Sequence, residues 1–321
     1  MTGKASDAPV WDAGLLDLPL SDIDADAVSA FAKQAAEAGR LASFPSTVEE
    51  TLTEIGLIRK GRLTRAAALC FGKDPSSLGV NFAIRIGRVS PASQMRDDKW
   101  ARGTLFEQFH AGLALIKGHL SVTYRIEGTA RTEIWEYPLV ALREALLNAI
   151  CHRDYSDAAN FIQVTIADDM LWCANPGKLP SGIRISDLKK PHRSCLRNPL
   201  IAKTLYFAGL VEQFGSGTLR MVEAMRNAGL PDPEFREEMG GFSVYLYKDR
   251  YTPETLRSLK LSQRQMQAVM YAKERGRVTN KEYQNLNGVS NKTAYLELKE
   301  LVQKGVMRIE GKGRTLQYIL K

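Results

Sequence analysis

The sequence predicts an α+β protein of two or three domains, with helices on one face of a mixed sheet and a small basic domain at the C-terminal end. Three observations carry this. The chain has 321 residues, and a domain takes roughly 100–200. Segments of helical period are interleaved with segments of period two. The charge is unevenly placed: Tyr251 to Lys321 holds 14 Lys/Arg and 6 Asp/Glu, while the other 250 residues hold 30 of each sign. The division implied is an N-terminal α/β subdomain over 1–120, a central domain over 121–250 and a basic domain over 251–321.

Composition excludes several classes. With 44% apolar and 25% charged residues, the chain has the make-up of a folded globular protein. The apolar stretch Tyr137–Ile150 is broken by Arg143 and Glu144, so no membrane span is expected. Asp7 and Asp12 interrupt the first fifteen residues, which argues against a secretory signal. Cys70, Cys151, Cys173 and Cys195 form no C-x-x-C pair, and His110, His119, His152 and His192 have no metal-ligand spacing. A disulfide scaffold and a zinc site are therefore not expected, and a reducing cytoplasm is the simple reading.

In the N-terminal third, Asp22–Gly39 and Val48–Ile55 read as helices, and Arg59-Lys60-Gly61-Arg62 as a basic turn. Thr64 is placed to cap a helix running through Cys70. Val80–Val89 reads as a strand and Leu105–His119 as a helix.

The middle carries the candidate chemistry. Pro138 suits the first position of a helix, and Leu139, Leu142, Leu146, Ala149 and Ile150 then give its apolar stripe. Glu144 and Asn148 are four apart and share a face away from that stripe. A carboxylate beside an amide could orient a water and hold Mg²⁺, although taken alone such a pair is far more often a solvated helix face. Phe161–Ile166 alternates as a strand, Asp168-Asp169 makes a turn, and Met170–Ala174 returns into Asn175-Pro176-Gly177. A polar side chain at a strand end followed by a glycine suits a flat ring ligand. Phe214-Gly215-Ser216-Gly217-Thr218 then opens a helix containing Leu219, Met221, Val222 and Met225. Glycines at a helix start leave backbone N–H groups facing an anion.

The C-terminal stretch has sharper signals. Tyr251–Lys260, with Pro253, reads as a linker. Ser262 with Gln265, and Thr279 with Glu282, are capping boxes, and Ser290 caps a third helix. Asn287-Gly288 is the turn before that helix, whose apolar positions are Ala294, Leu296, Leu298, Leu301 and Val302. Val306–Ile309 and Leu316–Ile319 flank Gly311-Lys312-Gly313-Arg314 as a hairpin with a basic tip. Three helices and a hairpin in this order predict a winged helix-turn-helix. Double-stranded DNA is the expected partner, with Asn291, Lys292, Thr293 and Tyr295 facing base edges and Lys312 and Arg314 on the wing. Protein contact is the competing use of such a module.

The order of the central motifs is similar to the ATP-binding fold of gyrase, histidine kinases, MutL and a heat-shock chaperone, the GHKL group. More narrowly, Leu63 to Tyr247 resembles divergent GHKL-type proteins labelled RecG-related, a family of transcriptional regulators. The stretches that carry the resemblance include E-A-L-L-N-A-I-C-H-R-D-Y-S from Glu144, N-P-G-K-L-P from Asn175, R-N-P-L-I-A from Arg197, G-L-V-E-Q-F-G-S-G-T from Gly209 and A-G-L-P-D-P-E-F from Ala228. The resemblance implies a GHKL-like α/β sandwich that binds ATP and Mg²⁺. It puts Glu144 at the general-base position and Asn148 at the Mg²⁺ position. Asn175 takes the place of the adenine-reading acid, Gly177 that of the first box glycine, and Gly215 and Gly217 that of the phosphate loop. Many such proteins begin with an AlbA-type (Schlafen-like) DNA-binding domain, for which this sequence has no room, so a short member or a fragment is expected.

Two departures point to a degenerate pocket: an amide replaces the adenine-reading acid, and Leu179 replaces the second box glycine. Cys151 stands where many of the ATPases have a cation near phosphate, for which Arg153, Arg193 or Arg197 could substitute. His152-Arg153-Asp154-Tyr155 reads as a structural cluster closing the helix. No G-x-x-x-x-G-K-[ST] loop is present, which excludes a helicase motor. Three functions stay open: a DNA-binding regulator with a degenerate ATP site, an active Mg²⁺-dependent ATPase acting with DNA, and an oligomeric protein-interaction scaffold.

Overall fold

The structure is a computed structural model. It describes residues 10–41, 46–90, 94–127, 130–192, 195–211, 215–249, 251 and 253–321. The chain divides into two compact units, Met1–Lys248 and Asp249–Lys321.

The first unit begins with strand β1 (Leu15–Leu16), helix α1 (Ala25–Glu37), α2 (Val48–Glu54), β2 (Ile58–Arg59), β3 (Arg62–Thr64) and α3 (Arg65–Phe71). Asp24 caps α1 by accepting from the N–H groups of Asp26 and Ala27, a contribution of about 1 kcal/mol. Thr64 caps α3 as expected, accepting from the Ala67 N–H. The basic turn joins β2 to β3, and β3 pairs with both β2 and β1 in a small antiparallel sheet.

The main sheet follows. Its strands are β4 (Ile84–Val89), β5 (Met95–Ala101), β8 (Ile162–Ile166), β9 (Met170–Pro176), β10 (Glu234–Glu238) and β11 (Gly241–Tyr247), with β6 (Val122–Glu127) and β7 (Ala130–Trp135) forming a separate hairpin. The order is β10-β11-β9-β8-β4-β5, and only β4 and β8 run parallel. The sheet is therefore mixed, as predicted. Helices α4 (Leu105–His119), α5 (Leu139–His152), α6 (Pro199–Phe207) and α7 (Gly217–Asn227) complete this unit. Alternate sheet residues Ile84, Ile86, Val164, Leu171, Cys173 and Val244 are buried, and α4 and α5 lie against β4, β5 and β9. Period-two burial beneath period-3.6 helices is the physical origin of the single core.

Strands from the N-terminal third and from the middle share that sheet and core, so no division appears at the expected 120/121 boundary. Strand β5, read Met-Arg-Asp-Asp-Lys-Trp-Ala, lacks the apolar alternation that would announce it. It is an edge strand, and such charge is what keeps an edge from pairing with another chain. No described helix is long and apolar enough to cross a membrane. All four cysteines carry free thiols.

The second unit contains α8 (Pro253–Ser258), α9 (Gln263–Arg275), α10 (Asn280–Asn287), α11 (Asn291–Gln303), β12 (Met307–Glu310) and β13 (Gln317–Leu320). Both capping boxes form, and Ser290 caps α11. The expected linker is instead helix α8, whose Leu256 is fully buried in this unit's core. Leu296 is 53% exposed, contrary to its assigned apolar position. The buried stripe of α11 is Ala294, Leu298 and Leu301 at i, i+4 and i+7, and Leu296 falls off it.

Candidate functional site

Helix α5 is buried on more than one side. Its stripe residues Leu142, Leu146 and Ile150 are buried, and so is Glu144, at 6% exposure. The face expected to be solvated is covered by α7. The close approach depends on Gly217, the first residue of α7: a Cβ there would lie 2.6 Å from Glu144 Oε2 and 3.3 Å from the Asn148 amide atoms. One turn further along α7, Arg220 Nη2 donates to Glu144 Oε1 at 2.9 Å. A carboxylate this buried is tolerated because a cation meets it.

Strand β9 ends at the other side of the site. Asn175 is buried and stands opposite Phe242 of β11. Its Nδ2 donates to Pro176 O at 3.2 Å, so Oδ1 is the acceptor the side chain can offer. Gly177 has φ of 110°, a conformation that favours glycine. A Cβ there would lie 3.0 Å from Arg197 Nη1. Arg197 is held by Asp154 Oδ2 at 2.8 Å and by Lys178 O at 2.6 Å. The missing side chain of Gly177 thus makes room for a structural ion pair.

Glu144, Asn148, Asn175, Gly177, Gly215 and Gly217 all line one cavity, walled also by Leu147, Leu179, Phe235 and Phe242. Its volume is about 100 Å³, smaller than the roughly 150 Å³ cavity that takes up benzene. There is breadth for part of a ring system. The first turn of α7 rests on Glu144 and Asn148, which narrows this end of the cavity. Among the described residues no three His, Cys, Asp or Glu side chains cluster as metal ligands, so Mg²⁺ would depend on Asn148 together with the oxygens of a ligand.

The substitutes proposed for the missing cation resolve differently. Arg153 is 1% exposed and turns away from the cavity, donating to the carbonyls of Asn81, Asp157 and Asn160. Arg197 lines the cavity but is committed to Asp154. Arg193 and Phe214 lie outside the described residues. Tyr155 Oη donates to Ile150 O, closing the end of α5, and Asn198 Nδ2 donates to the carbonyls of Cys151 and Arg153. The segment from His152 to Tyr155 is accordingly structural in its contacts. The Cys151 thiol is pushed up to about 12 by burial, with Glu144 adding to the shift, so it is no thiolate nucleophile.

Sequence reading missed Arg220. The signal was available in its spacing: three residues after Gly217, it shares the face of α7 that the glycine brings onto α5. Thr218 was also missed as a separate feature. It lines the cavity, and its buried Oγ1 has no hydrogen-bond partner among the described residues.

His152 also lines the cavity. Burial lowers its pKa to about 4, and the positive fields of Arg197 and His192 act the same way. The ring is neutral at pH 7. Because the folded value lies below the unfolded 6.5, the unfolded chain binds the proton first, and stability falls as pH drops from about 6.5 to about 4. The contribution is at most about 3 kcal/mol. Denaturant midpoints measured across this range should show a shallower acid slope for His152→Gln than for the parent; equal slopes would exclude the buried neutral histidine.

In the second unit, Asn291, Lys292 and Tyr295 are exposed at the start of α11, and Lys312 is exposed at the hairpin tip. Thr293 is partly used in the cap, its N–H donating to Ser290 Oγ and its hydroxyl lying 3.0 Å from that atom. The side chain of Arg314 lies outside the described residues. Acidic groups on α11 are engaged locally: Glu297 accepts from Arg264 and from Tyr283 Oη, and Glu300 pairs with Lys304 at 2.9 Å.

Comparison with known proteins adds two findings. Residues 160–246 match the family model described as "Putative ATP-dependent DNA helicase recG C-terminal". The match takes in β8 to β11, α6 and α7, and begins after α5. The fold is similar to the crystal structure of the DIP2311 protein from Corynebacterium diphtheriae, a structural genomics target, with TM-score 0.63 and 22% identity over 97% of this chain. This chain spans 64% of that protein's length. No curated protein matches the sequence. The middle of the chain is therefore an ATPase-like domain similar to the RecG C-terminal family, set in a mixed α+β fold.

Proposed function

We propose that this protein is a DNA-binding regulator in which a winged helix-turn-helix, the second unit, is joined to a degenerate GHKL-like nucleotide-binding body. The observation that carries the DNA part is charge placed on suitable geometry. The basic excess of the whole chain lies beyond Tyr251, and Asn291, Lys292 and Tyr295 are exposed where α11 would enter a major groove. The nucleotide part is supported by the family match and by the six expected residues lining one cavity. Degeneracy is supported by the Glu144–Arg220 pair and by the narrowness of the cavity. Helicase activity is not part of this reading, since the P-loop is absent.

Fluorescence anisotropy with a mixed-sequence duplex at two salt concentrations tests it. Lys292→Ala and Lys312→Ala should each weaken binding and reduce the slope of log K against log salt by about 1. Asn291→Ala should relax preference at one base pair, at a cost of about 1–3 kcal/mol for the preferred site. Absence of binding to any duplex at low salt would defeat the proposal. A protein partner would then be favoured, since Leu286, Leu296 and Ile309 leave apolar surface exposed on the same unit.

A further inference from the structure

We infer that the β2–β3 turn, Arg59-Lys60-Gly61-Arg62, is a second phosphate-contacting site for double-stranded DNA, carried by the first unit. The inference rests on the DNA-binding reading and adds a contact that this reading, confined to the second unit, does not contain.

The turn is built against local preference in two ways. Its central residues, Lys60 and Gly61, have φ of 51° and 70°, as a two-residue type I′ hairpin loop demands. Asn-Gly suits that loop, whereas a lysine in the left-handed region is strained. The flanking residues Arg59 and Arg62 are register partners, so they stand directly opposite one another on one face of the hairpin. Like charges in that position are destabilising. Neither choice helps the hairpin form, and both put cations at its tip.

The cations are also left without acids. From Ile55 to Lys73 the sequence has five Lys/Arg and no Asp or Glu. Arg59, Lys60 and Arg62 are exposed. Arg59 Nε donates to Gly56 O at 3.2 Å and Arg62 Nε to Leu16 O at 3.4 Å, which leaves the Nη ends of both forks for another partner. Among the described residues no ion pair forms at Arg59, Lys60 or Arg62, although Arg59 acts through its field on the buried Asp12 carboxyl. Asp17, which the register of β1 with β3 carries towards Arg62, is no exception. Lys203 of α6 adds a fourth cation: a Cβ at Gly56 would lie 3.9 Å from Arg59 Nη2 and 4.0 Å from Lys203 Nζ, so both heads stand over the same glycine.

Guanidinium forks and an ammonium match phosphate oxyanions, the forks bidentately. A membrane surface is the competing source of phosphate, but it is held by apolar side chains as well as by charge, and no large apolar side chain between residues 46 and 65 is exposed. The chain's other basic hairpin tip, Gly311-Lys312-Gly313-Arg314, belongs to the unit read as DNA-binding. Backbone contacts position a protein on a duplex without reading its sequence. The β2–β3 turn therefore adds affinity and salt dependence and leaves base preference to α11.

The test is fluorescence anisotropy of the full chain with a labelled mixed-sequence duplex across a salt series, for the parent, K60N, K60N/R62Q, K292A and the charge control K33Q, with thermal melts alongside. K60N gives the loop its favoured residue pair, and R62Q removes the opposed like charges. Both variants should melt at or above the parent temperature, so weaker binding cannot come from misfolding. The slope of log K against log salt should become shallower by about 1 for K60N and about 2 for K60N/R62Q, with preference among duplex sequences unchanged. Lys33, exposed on α1, lies outside the turn, and K33Q should bind as the parent does. A K60N/R62Q protein with the parent slope, or a K33Q protein that loses as much as K60N, overturns the site, while K292A still decides the winged-helix reading by itself. Binding of the parent to phosphatidylserine vesicles that K60N/R62Q loses while holding DNA as before also overturns it, in favour of a membrane surface. Failure of the parent to bind any duplex removes the DNA reading and the inference together.

Discussion

Asp12→Ala is expected to lower the stability of the first unit by about 3–4 kcal/mol, the sum expected for losing two charge-assisted hydrogen bonds and stranding their donors. Asp12 is fully buried, and its Oδ2 accepts from the N–H groups of Leu200 at 2.7 Å and Ile201 at 3.1 Å. These are N–H groups of the first turn of α6, which has no side-chain cap of its own. A residue distant in sequence thus serves as the cap. Burial raises the pKa of the carboxyl, while the two backbone donors and Arg59 oppose that shift. Asp12→Asn retains an acceptor but buries an extra NH₂, so it should fall between the parent and the alanine variant. Helix α6 carries Ala202, which lines the cavity, and loss of the cap should also loosen that wall. Thermal unfolding followed by circular dichroism would read a drop of about 6–15 °C for a unit of this size. A change below about 1 kcal/mol would mean that solvent replaces Asp12 at the helix end.

Asp12 also shows where sequence reading stops. Local signals were legible: Thr64, Ser262, Thr279 and Ser290 sit beside the backbone groups they cap, so a window of four residues contains the whole interaction. The order of Glu144, Asn148, Asn175, Gly177, Gly215 and Gly217 was legible through resemblance, and those residues do line one cavity. What could not be read was the partner supplied from elsewhere. Glu144 looked solvated because its own helix does not reveal that α7 covers it. Strand β5 was invisible because an edge position suppresses apolar alternation. Leu296 was placed inward by its residue type, whereas the spacing of Ala294, Leu298 and Leu301 puts it outside.

Arg153 offers the second large effect, and it separates a structural role from a phosphate-binding one. Its guanidinium is almost wholly buried and donates to Asn81 O and Asp157 O at 3.0 Å each and to Asn160 O. It also lies over the rings of Phe82 and Tyr155, at 4.7 and 5.3 Å from their centroids. These contacts tie the end of α5 to the loop that enters β8 and to the segment Asn81–Phe82 that leads into β4. Burial lowers its pKa, but an arginine starts high enough to remain charged at pH 7. Arg153→Ala removes the donors from three carbonyls, the cation–π contacts and much side-chain volume together, for an expected loss of about 3–5 kcal/mol. Arg153→Met keeps most of the volume and isolates the polar share, which should be about 2–3 kcal/mol. Neither the direction of the side chain nor its partners bring it to the cavity. Folded Arg153→Met, measured at low temperature, should therefore bind an adenine nucleotide with the affinity of the parent. Near-normal stability combined with lost nucleotide binding would reverse the assignment and make Arg153 the cation that Cys151 fails to supply.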